Sequence, residues 1–376
     1  MLTFIYCLLL LLAIGKWRAM YSNKDEIHGK GKHLCISVLI PARNESLRIS
    51  GLLMSLAAQR YPIQSYEVIL IDDHSEDDTI AVAQELAIAL SLPLRCIRLS
   101  ESKNGMVLKG KKAALQQGVE AARGEVIVTT DADCVMGGDW LQSIHHYFKE
   151  HAAAMVVGPV TFSESSRPFD KLQTIELGAL VGTGAVSLGY GKPNMCNGAN
   201  LAFTKSAFEA VGGYHDNMHI PSGDDEFLLQ KIYKFYPRKV YFNVHPEGVV
   251  STAPAKNIKA FISQRRRWGG KWRLHKAISV KLMAVFVFAF HLFYLTTLAN
   301  TLLGALNPIL FIGVFIVKAS LEYFFLKGVL THMGKSLYMK HFVFLQTIYS
   351  LYVVVFGLLV NFGTFEWKGR EYGKND

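Results

Sequence analysis

The run Glu125-Val126-Ile127-Val128-Thr129-Thr130-Asp131-Ala132-Asp133-Cys134 limits the folds open to this chain more than any other stretch. Val126 to Thr130 is short, apolar and β-branched, the pattern of a strand buried on both faces of a parallel sheet. It runs into two carboxylates one residue apart. Side chains alternate along a strand, so Asp131 and Asp133 are expected to point the same way from its C-terminal end. In an open α/β sheet that end is where ligands sit. Two like charges so close repel, and a divalent cation held by hard oxygen ligands relieves the repulsion. A solvated Asp-x-Asp loop has the same three residues, so the rest of the chain has to decide.

Upstream, strand and helix patterns alternate. Leu34 to Ile40 reads as a strand closed by Pro41-Ala42-Arg43-Asn44-Glu45, and a helix is expected from Ser46 to about Gln59. Glu67 to Ile71 is a second strand running into Asp72-Asp73-His74-Ser75-Glu76-Asp77-Asp78-Thr79. Ser75 or Asp77 is placed to cap a helix over Thr79 to Ala89. A third short strand spans Leu94 to Leu99, and a helix opens at Gly110-Lys111-Lys112-Ala113. This alternation predicts βαβ units and an α/β fold with a mostly parallel sheet. The first strand is followed by neither Gly-x-Gly-x-x-Gly nor a Gly-Lys-Ser/Thr loop, which disfavours the dinucleotide-binding and P-loop versions.

Three features then collect at strand ends: Pro41 to Glu45, Asp72 with Asp73, and Asp131 with Asp133. Asp73 is able to accept hydrogen bonds from a base or ribose, or simply to cap a turn. Lys111, near a helix start, is placed to meet a phosphate, or is a solvated surface lysine. His74, His145 and His146 show no ligand spacing and read as surface or packing histidines. After Gly158-Pro159 the rhythm breaks. Phe169 to Tyr190, low in charge and rich in Gly, Ala, Leu and Val, reads as a core helix or one lying at a membrane surface. In Asn197-Gly198-Ala199-Asn200 the glycine permits close backbone approach to a ligand. Gly223-Asp224-Asp225-Glu226 either favours a helix N-terminus or supplies a general base.

The two ends belong to a membrane protein. Leu2 to Gly15 is almost wholly apolar, with Lys16, Arg18 and Lys24 after it and no basic residue before it. That asymmetry favours an uncleaved anchor over a signal peptide and puts the following domain in the cytoplasm. About fourteen apolar residues are short for a span, so tilt or local thinning of the bilayer is needed, or Trp17 to Tyr21 contributes. Lys256 to Lys276 carries eight Lys or Arg and no acid, with Ile258, Phe261, Ile262, Trp268 and Trp272 on one helical stripe. This is a basic amphipathic segment suited to anionic lipid. Spans are expected at about 281–303, 308–326 and 341–363, with Lys327 to Lys340 a basic loop. Three spans from a cytoplasmic domain would leave the tail outside, whereas its charge points inside. The predicted organisation is therefore an anchor at 1–21, a soluble domain at 33–255, an interface segment at 256–277, a transmembrane region at 278–365 and a polar tail at 366–376. Five scattered cysteines fit a reducing compartment, and a net charge of +10 suggests anionic partners.

Taken in order, these motifs resemble those of membrane-bound family 2 glycosyltransferases, inverting enzymes with the GT-A fold. The resemblance covers roughly Leu34 to Arg273. It implies a first nucleotide-binding loop at Pro41, Ala42 and Glu45, a base-contacting Asp73, and Lys111 in a Gly-Lys-x-x-Ala-Leu segment. It implies an Asp-x-Asp motif at Asp131 and Asp133, with Asp133 carrying Mg²⁺ or Mn²⁺. Asp225 falls at the catalytic base, and Asp224 stands where the family more often has Glu, which leaves either acid open as the base. Gln264, Arg267 and Trp268 match Gln-x-x-Arg-Trp, implied to bind diphosphate and acceptor, and Asn197 and Asn200 are grouped with them. The implied partners are a nucleotide-sugar donor of the UDP type, a lipid or glycan acceptor and membrane lipids, with no nucleic acid. A processive polysaccharide synthase is the rival within the family. A metal-dependent nucleotidyltransferase would also use paired aspartates, but would not need Asp225 or Gln264 to Trp268. A non-catalytic membrane scaffold leaves three acidic clusters unexplained.

Overall fold

The computed structural model describes residues 1–22, 25–27, 32–100, 110–218, 223–270, 277–360, 365–367 and 370–372. In chain order, the first elements are α1 (Leu2–Ser22), β1 (Ile36–Ala42), α2 (Ile49–Ala57), β2 (Tyr66–Asp72), α3 (Thr79–Ala89) and β3 (Leu94–Arg98). Next come α4 (Lys111–Ala121), β4 (Val126–Thr129), β5 (Val135–Met136), α5 (Trp140–Glu150), β6 (Met155–Val157), β7 (Val160–Phe162) and α6 (Pro168–Gly189). They are followed by β8 (Leu201–Thr204), α7 (Lys205–Ala210), α8 (Asp224–Phe235), β9 (Val240–Phe242) and β10 (Val250–Thr252). The chain ends with α9 (Ile258–Gly269), α10 (Ile278–Leu302), α11 (Pro308–His332), α12 (Phe342–Leu359), β11 (Phe365–Trp367) and β12 (Arg370–Tyr372).

Contacts divide the chain into two units. One is Lys24–Ser163 with Ser187–Ala253; the other is Met1–Asn23, Glu164–Val186 and Pro254–Asp376. Most of α6 thus falls in the second unit.

In the first unit a seven-stranded sheet has the order β3-β2-β1-β4-β8-β6-β9. β1, β2, β3 and β4 are mutually parallel, as the βα rhythm predicts. β8 runs antiparallel to β4 and β6, so β4 sits at the change of direction rather than inside an all-parallel sheet. Runs such as Val38, Leu39, Ile40 and Val68 to Ile71 are fully buried because both sheet faces are covered. Each such aliphatic side chain contributes about 1.5–3 kcal/mol relative to exposure. β1 runs two residues beyond the expected Ile40, so Pro41 and Ala42 lie within it, in register with Ile71 and Asp72. Proline is tolerated there because it stands at the end of the strand.

Among the described residues, the second unit contains four helices long and apolar enough to cross a membrane: α1, α10, α11 and Ser336–Leu359, which includes α12. α1 takes in Trp17 to Tyr21, the last of the alternatives open for its short apolar run. α11 continues to His332 and a 3-10 helix spans Ser336–His341, so most of the expected Lys327–Lys340 loop is helical. Lys327 lies over the Tyr323 ring at 5.8 Å, and Lys335 pairs with Glu164. α6 packs on α11 through Gly178 and Gly182: a Cβ at either would meet Leu330 or Val329 at 2.8 or 2.6 Å. This small-xxx-small spacing permits close helix approach.

The bundle also encloses charge. Lys318 Nζ donates to Glu322 Oε2 and Gln346 Oε1, both at 2.9 Å, and Tyr6 Oη donates to Glu322 Oε1 at 2.6 Å. Three helices are tied by one polar network, since these residues lie on α1, α11 and α12.

Candidate active site

β1, β2 and β4 end on the same edge of the sheet, and the loops leaving β1 and β2 lock to each other. Asp73 N donates to the Ala42 carbonyl oxygen at 2.8 Å. The Arg43 guanidinium donates to the carbonyl oxygens of Asp73 and His74 at 2.9 and 2.6 Å and to Glu76 Oε1 at 2.9 Å. Asn44 and His74 both adopt left-handed backbone, with φ of 53° and 58°. Glu45 is buried, and its N–H donates to Thr79 Oγ1 at 2.8 Å. Asp77 is a partial cap for α3: its Oδ1 accepts from Thr79 N at 3.1 Å while Oδ2 accepts from Ser46 N at 3.1 Å.

Asp73 is buried, and its Oδ2 accepts the Gly110 N–H at 3.0 Å. Gly110 has φ of 93°, which favours glycine, and the next residue begins α4. The loop after β2 is thereby tied to the residue preceding Lys111. Lys111 Nζ lies 2.6 Å from Asp131 Oδ1 and 3.8 Å from Asp224 Oδ2. Burial works to lower its pKa, but Asp131, Asp224 and Asp225 outweigh burial and raise it. The lysine is therefore cationic at any physiological pH. Gly198 completes the cluster. Its N–H donates to Asp225 Oδ2 at 3.0 Å, and a Cβ there would meet Asp224 Oδ2 at 3.0 Å and Lys111 Nζ at 3.3 Å. Asp225 Oδ1 accepts from Glu226 N at 2.8 Å. Residues from α4, the β4–β5 turn, the loop before β8 and the start of α8 thus share one site.

The structure corrects how the Asp-Ala-Asp run is carried. β4 stops at Thr129, and Asp131 and Asp133 lie in a turn closed by Cys134 N donating to the Asp131 carbonyl oxygen at 3.1 Å. Strand alternation does not orient this pair. Thr129 Oγ1 donates to the Gly198 carbonyl oxygen at 2.7 Å, tying the strand end to the glycine loop. Both carboxylates are part exposed, and together they form an all-oxygen donor set that suits Mg²⁺ or Mn²⁺. The neighbouring Cys134 thiol is pushed up by burial, then by Asp131 and Asp133, and stays protonated.

The asparagines divide. Asn200 is 2 % exposed, and its amide donates to the Pro159 and Gly248 carbonyl oxygens at 2.8 Å each and accepts from Trp140 Nε1 at 3.1 Å. Its side chain is committed to holding the loop, not to a ligand contact. Asn197 Oδ1 accepts from Ala199 N at 3.0 Å, which shapes the turn around Gly198.

Gln264, Arg267 and Trp268 lie on α9 in the other unit, each half-buried. Sequence reasoning passed over the arginine between them. Arg265 is buried, and its Nε donates to Glu176 Oε1 and Oε2 at 2.9 and 3.1 Å. Its guanidinium lies 4.3 Å from the Phe261 ring and 4.5 Å from the Trp268 ring. Glu176, the second of two acids in a low-charge helix, was the available signal. His146 and His151 are also brought next to Asp25, which spacing along the chain does not reveal.

Residues 37–212 match the family described as Glycosyl transferase family 2, and residues 126–361 match Glycosyl transferase family group 2. The chain belongs to the family 2 glycosyltransferases and is a glycosyltransferase with a GT-A-type fold. It is 27% identical over 245 residues to a β-monoglucosyldiacylglycerol synthase of Trichormus variabilis, covering 62% of this chain and 48% of the relative. It is 26% identical over 286 residues to the probable glycosyltransferase YdaM of Bacillus subtilis, covering 73% and 60%. A poly-β-1,6-N-acetyl-D-glucosamine synthase of Staphylococcus epidermidis is 28% identical over 219 residues, covering 57% and 51%. The chain therefore spans about half to three fifths of these relatives. A solved mannosyltransferase of Pyrobaculum calidifontis aligns over 96% of both chains, with a TM-score of 0.50 and 18% identity, a likeness of fold.

Proposed function

We propose that this glycosyltransferase moves a sugar from a UDP-type donor to a lipid or lipid-linked acceptor at the cytoplasmic membrane face, with inversion. The observation that carries this reading is Lys111 held between Asp131 and Asp224 beside the Gly198 amide that binds Asp225. A fixed cation next to a part-exposed acid pair suits a nucleoside diphosphate, whose charge must be met as it departs. Asp133, with Asp131 beside it, would hold Mg²⁺ or Mn²⁺, which would supply charge stabilisation to the diphosphate. The Pyrobaculum enzyme is described in complex with GDP-mannose and Mn²⁺, which supports a nucleotide sugar and a divalent metal as partners.

Pro41, Ala42 and Glu45 frame the nucleotide side, with Asp73 facing the base and Lys111 the phosphates. Asp225, its carboxylate oriented by the Gly198 and Glu226 N–H groups, takes the acceptor hydroxyl proton as general base. Asp224 sits closer to Lys111 and serves charge balance. Gln264, Arg267 and Trp268 are assigned to the diphosphate and acceptor on the Gln-x-x-Arg-Trp resemblance alone. The glucolipid synthase relative and the four apolar helices favour a membrane-lipid acceptor. The poly-N-acetylglucosamine synthase relative favours the second reading, a processive synthase.

Detergent-purified protein incubated with a panel of nucleotide sugars, a diacylglycerol acceptor and Mg²⁺ or Mn²⁺ tests both. Acceptor-dependent release of UDP with a single-sugar lipid product is expected. A polymer would shift the reading to the second, and absence of release from every donor would contradict both.

A further inference from the structure

Away from this cluster, three potential metal ligands converge in the first unit. His146 lies on α5 and is 1 % exposed. His151 closes that helix, with φ and ψ of −109° and 0°. Asp25 comes from the segment that follows α1 in sequence. One ligand atom from each of the three lies within 4.8 Å of the other two. Asp25 Oδ2 and His151 Nε2 are 3.3 Å apart. The rings of His146 and His151 stand at 84° to each other, with centroids 5.6 Å apart, an edge arrangement and not a stack.

From this geometry we propose that Asp25, His146 and His151 form a second, separate cation site that takes a borderline divalent metal, zinc above all. Two imidazoles and one carboxylate suit Zn²⁺, whereas Mg²⁺ and Mn²⁺ favour oxygen-only sets. Tetrahedral zinc with bonds of about 2.0–2.1 Å puts its ligand atoms ~3.3 Å apart, the spacing already present between Asp25 and His151. The two remaining pairs, both to His146, close by side-chain rotation within the 4.8 Å limit. A fourth position is left for water or for His245, whose ring centroid is 5.2 Å from that of His146. The site shares no residue with the Lys111 cluster. Its effect is to fasten Asp25 to the end of α5, giving the glycosyltransferase unit a metal-dependent hold on its own leading segment.

The test uses full-length protein in detergent, stripped with chelator and then held in excess Mg²⁺ so that oxygen-only sites are filled. Titration with Zn²⁺ should show one equivalent bound, and zinc-edge absorption should report two imidazole ligands with water in the fourth position, or three with His245 there. Asp25 and His151 have side chains 58% and 30% exposed, so replacing them leaves the core intact. Asp25→Asn and His151→Ala should each weaken zinc binding at least tenfold, whereas Asp133→Asn should leave it unchanged. Three results would overturn the site: no zinc bound by the wild type, wild-type affinity in His151→Ala, or zinc lost only in Asp133→Asn. The trio would then be an ion pair beside a packing histidine.

Discussion

Lys318 and Lys111 each hold a carboxylate, yet their surroundings are opposite. Lys318 is 1 % exposed among apolar helices, and its ammonium is divided between Glu322 and Gln346, with Tyr6 closing the other side of Glu322. Lys111 is shared by Asp131 and Asp224, and the Asp131 side chain is 39% exposed. A polar network inside a hydrocarbon-facing bundle must satisfy itself, because no solvent is at hand. A network at the carboxyl edge of a sheet need not, and its accessible charge is available to a ligand. The first is built for assembly of the fold, the second for chemistry.

Substitutions at both clusters sharpen that contrast, from the largest expected effect down. Asp225→Asn should lower transfer by about 10²–10⁴-fold, as expected of general-base loss, while donor affinity measured separately stays near wild type. Asp224→Asn should cost less; the reverse order would move the base by one residue. In the bundle, Lys318→Met should destabilise by about 3–5 kcal/mol, because it strands Glu322, and thermal unfolding in detergent reads this out. Lys318→Met combined with Glu322→Leu should regain most of that loss. Lys111→Met should leave the unfolding temperature nearly unchanged but weaken donor binding about 10–100-fold, the loss of a charge-assisted contact of roughly 1.5–3 kcal/mol. Equal unfolding losses at the two lysines would break the comparison.

The smallest effect is expected at Asp77. Burial opposes its charge, but hydrogen bonds from Ser46 and Thr79 outweigh it and hold the carboxyl at about 2. Its folded pKa lies below the unfolded value of about 3.9, so its contribution is present above that value and is lost as pH falls toward 2. Asp77→Ala should cost about 1 kcal/mol at neutral pH and flatten stability between about pH 4 and 2. An unchanged acid limb in a pH series of unfolding curves would remove this role.

Much of the fold was legible because it is local. The βα alternation placed α3 at Thr79–Ala89, and an apolar run followed by Lys16 and Arg18 marked α1. What stayed hidden depends on contacts between distant residues. Strand alternation was the wrong guide to Asp131 and Asp133, since β4 ends at Thr129 and a turn carries both. Asn200 looked available beside Gly198, but Pro159, Gly248 and Trp140 claim its amide. Arg265 stood unnoticed inside a motif whose other residues drew attention, and its buried partner Glu176 lies 89 residues away. Gly178 and Gly182 were visible as a spacing, and Lys318 and Glu322 as charges in an apolar run. Their meaning came only with the helices they face.

The central claim is that the edge cluster binds a nucleotide sugar through a metal held at Asp131 and Asp133. Calorimetric titration of a UDP-sugar into wild-type protein and Asp133→Asn, each with and without Mn²⁺, tests it most directly. The account predicts that Mn²⁺ strengthens binding to the wild type and that Asp133→Asn loses this metal-dependent gain. Wild-type affinity and an undiminished Mn²⁺ effect in Asp133→Asn would contradict it.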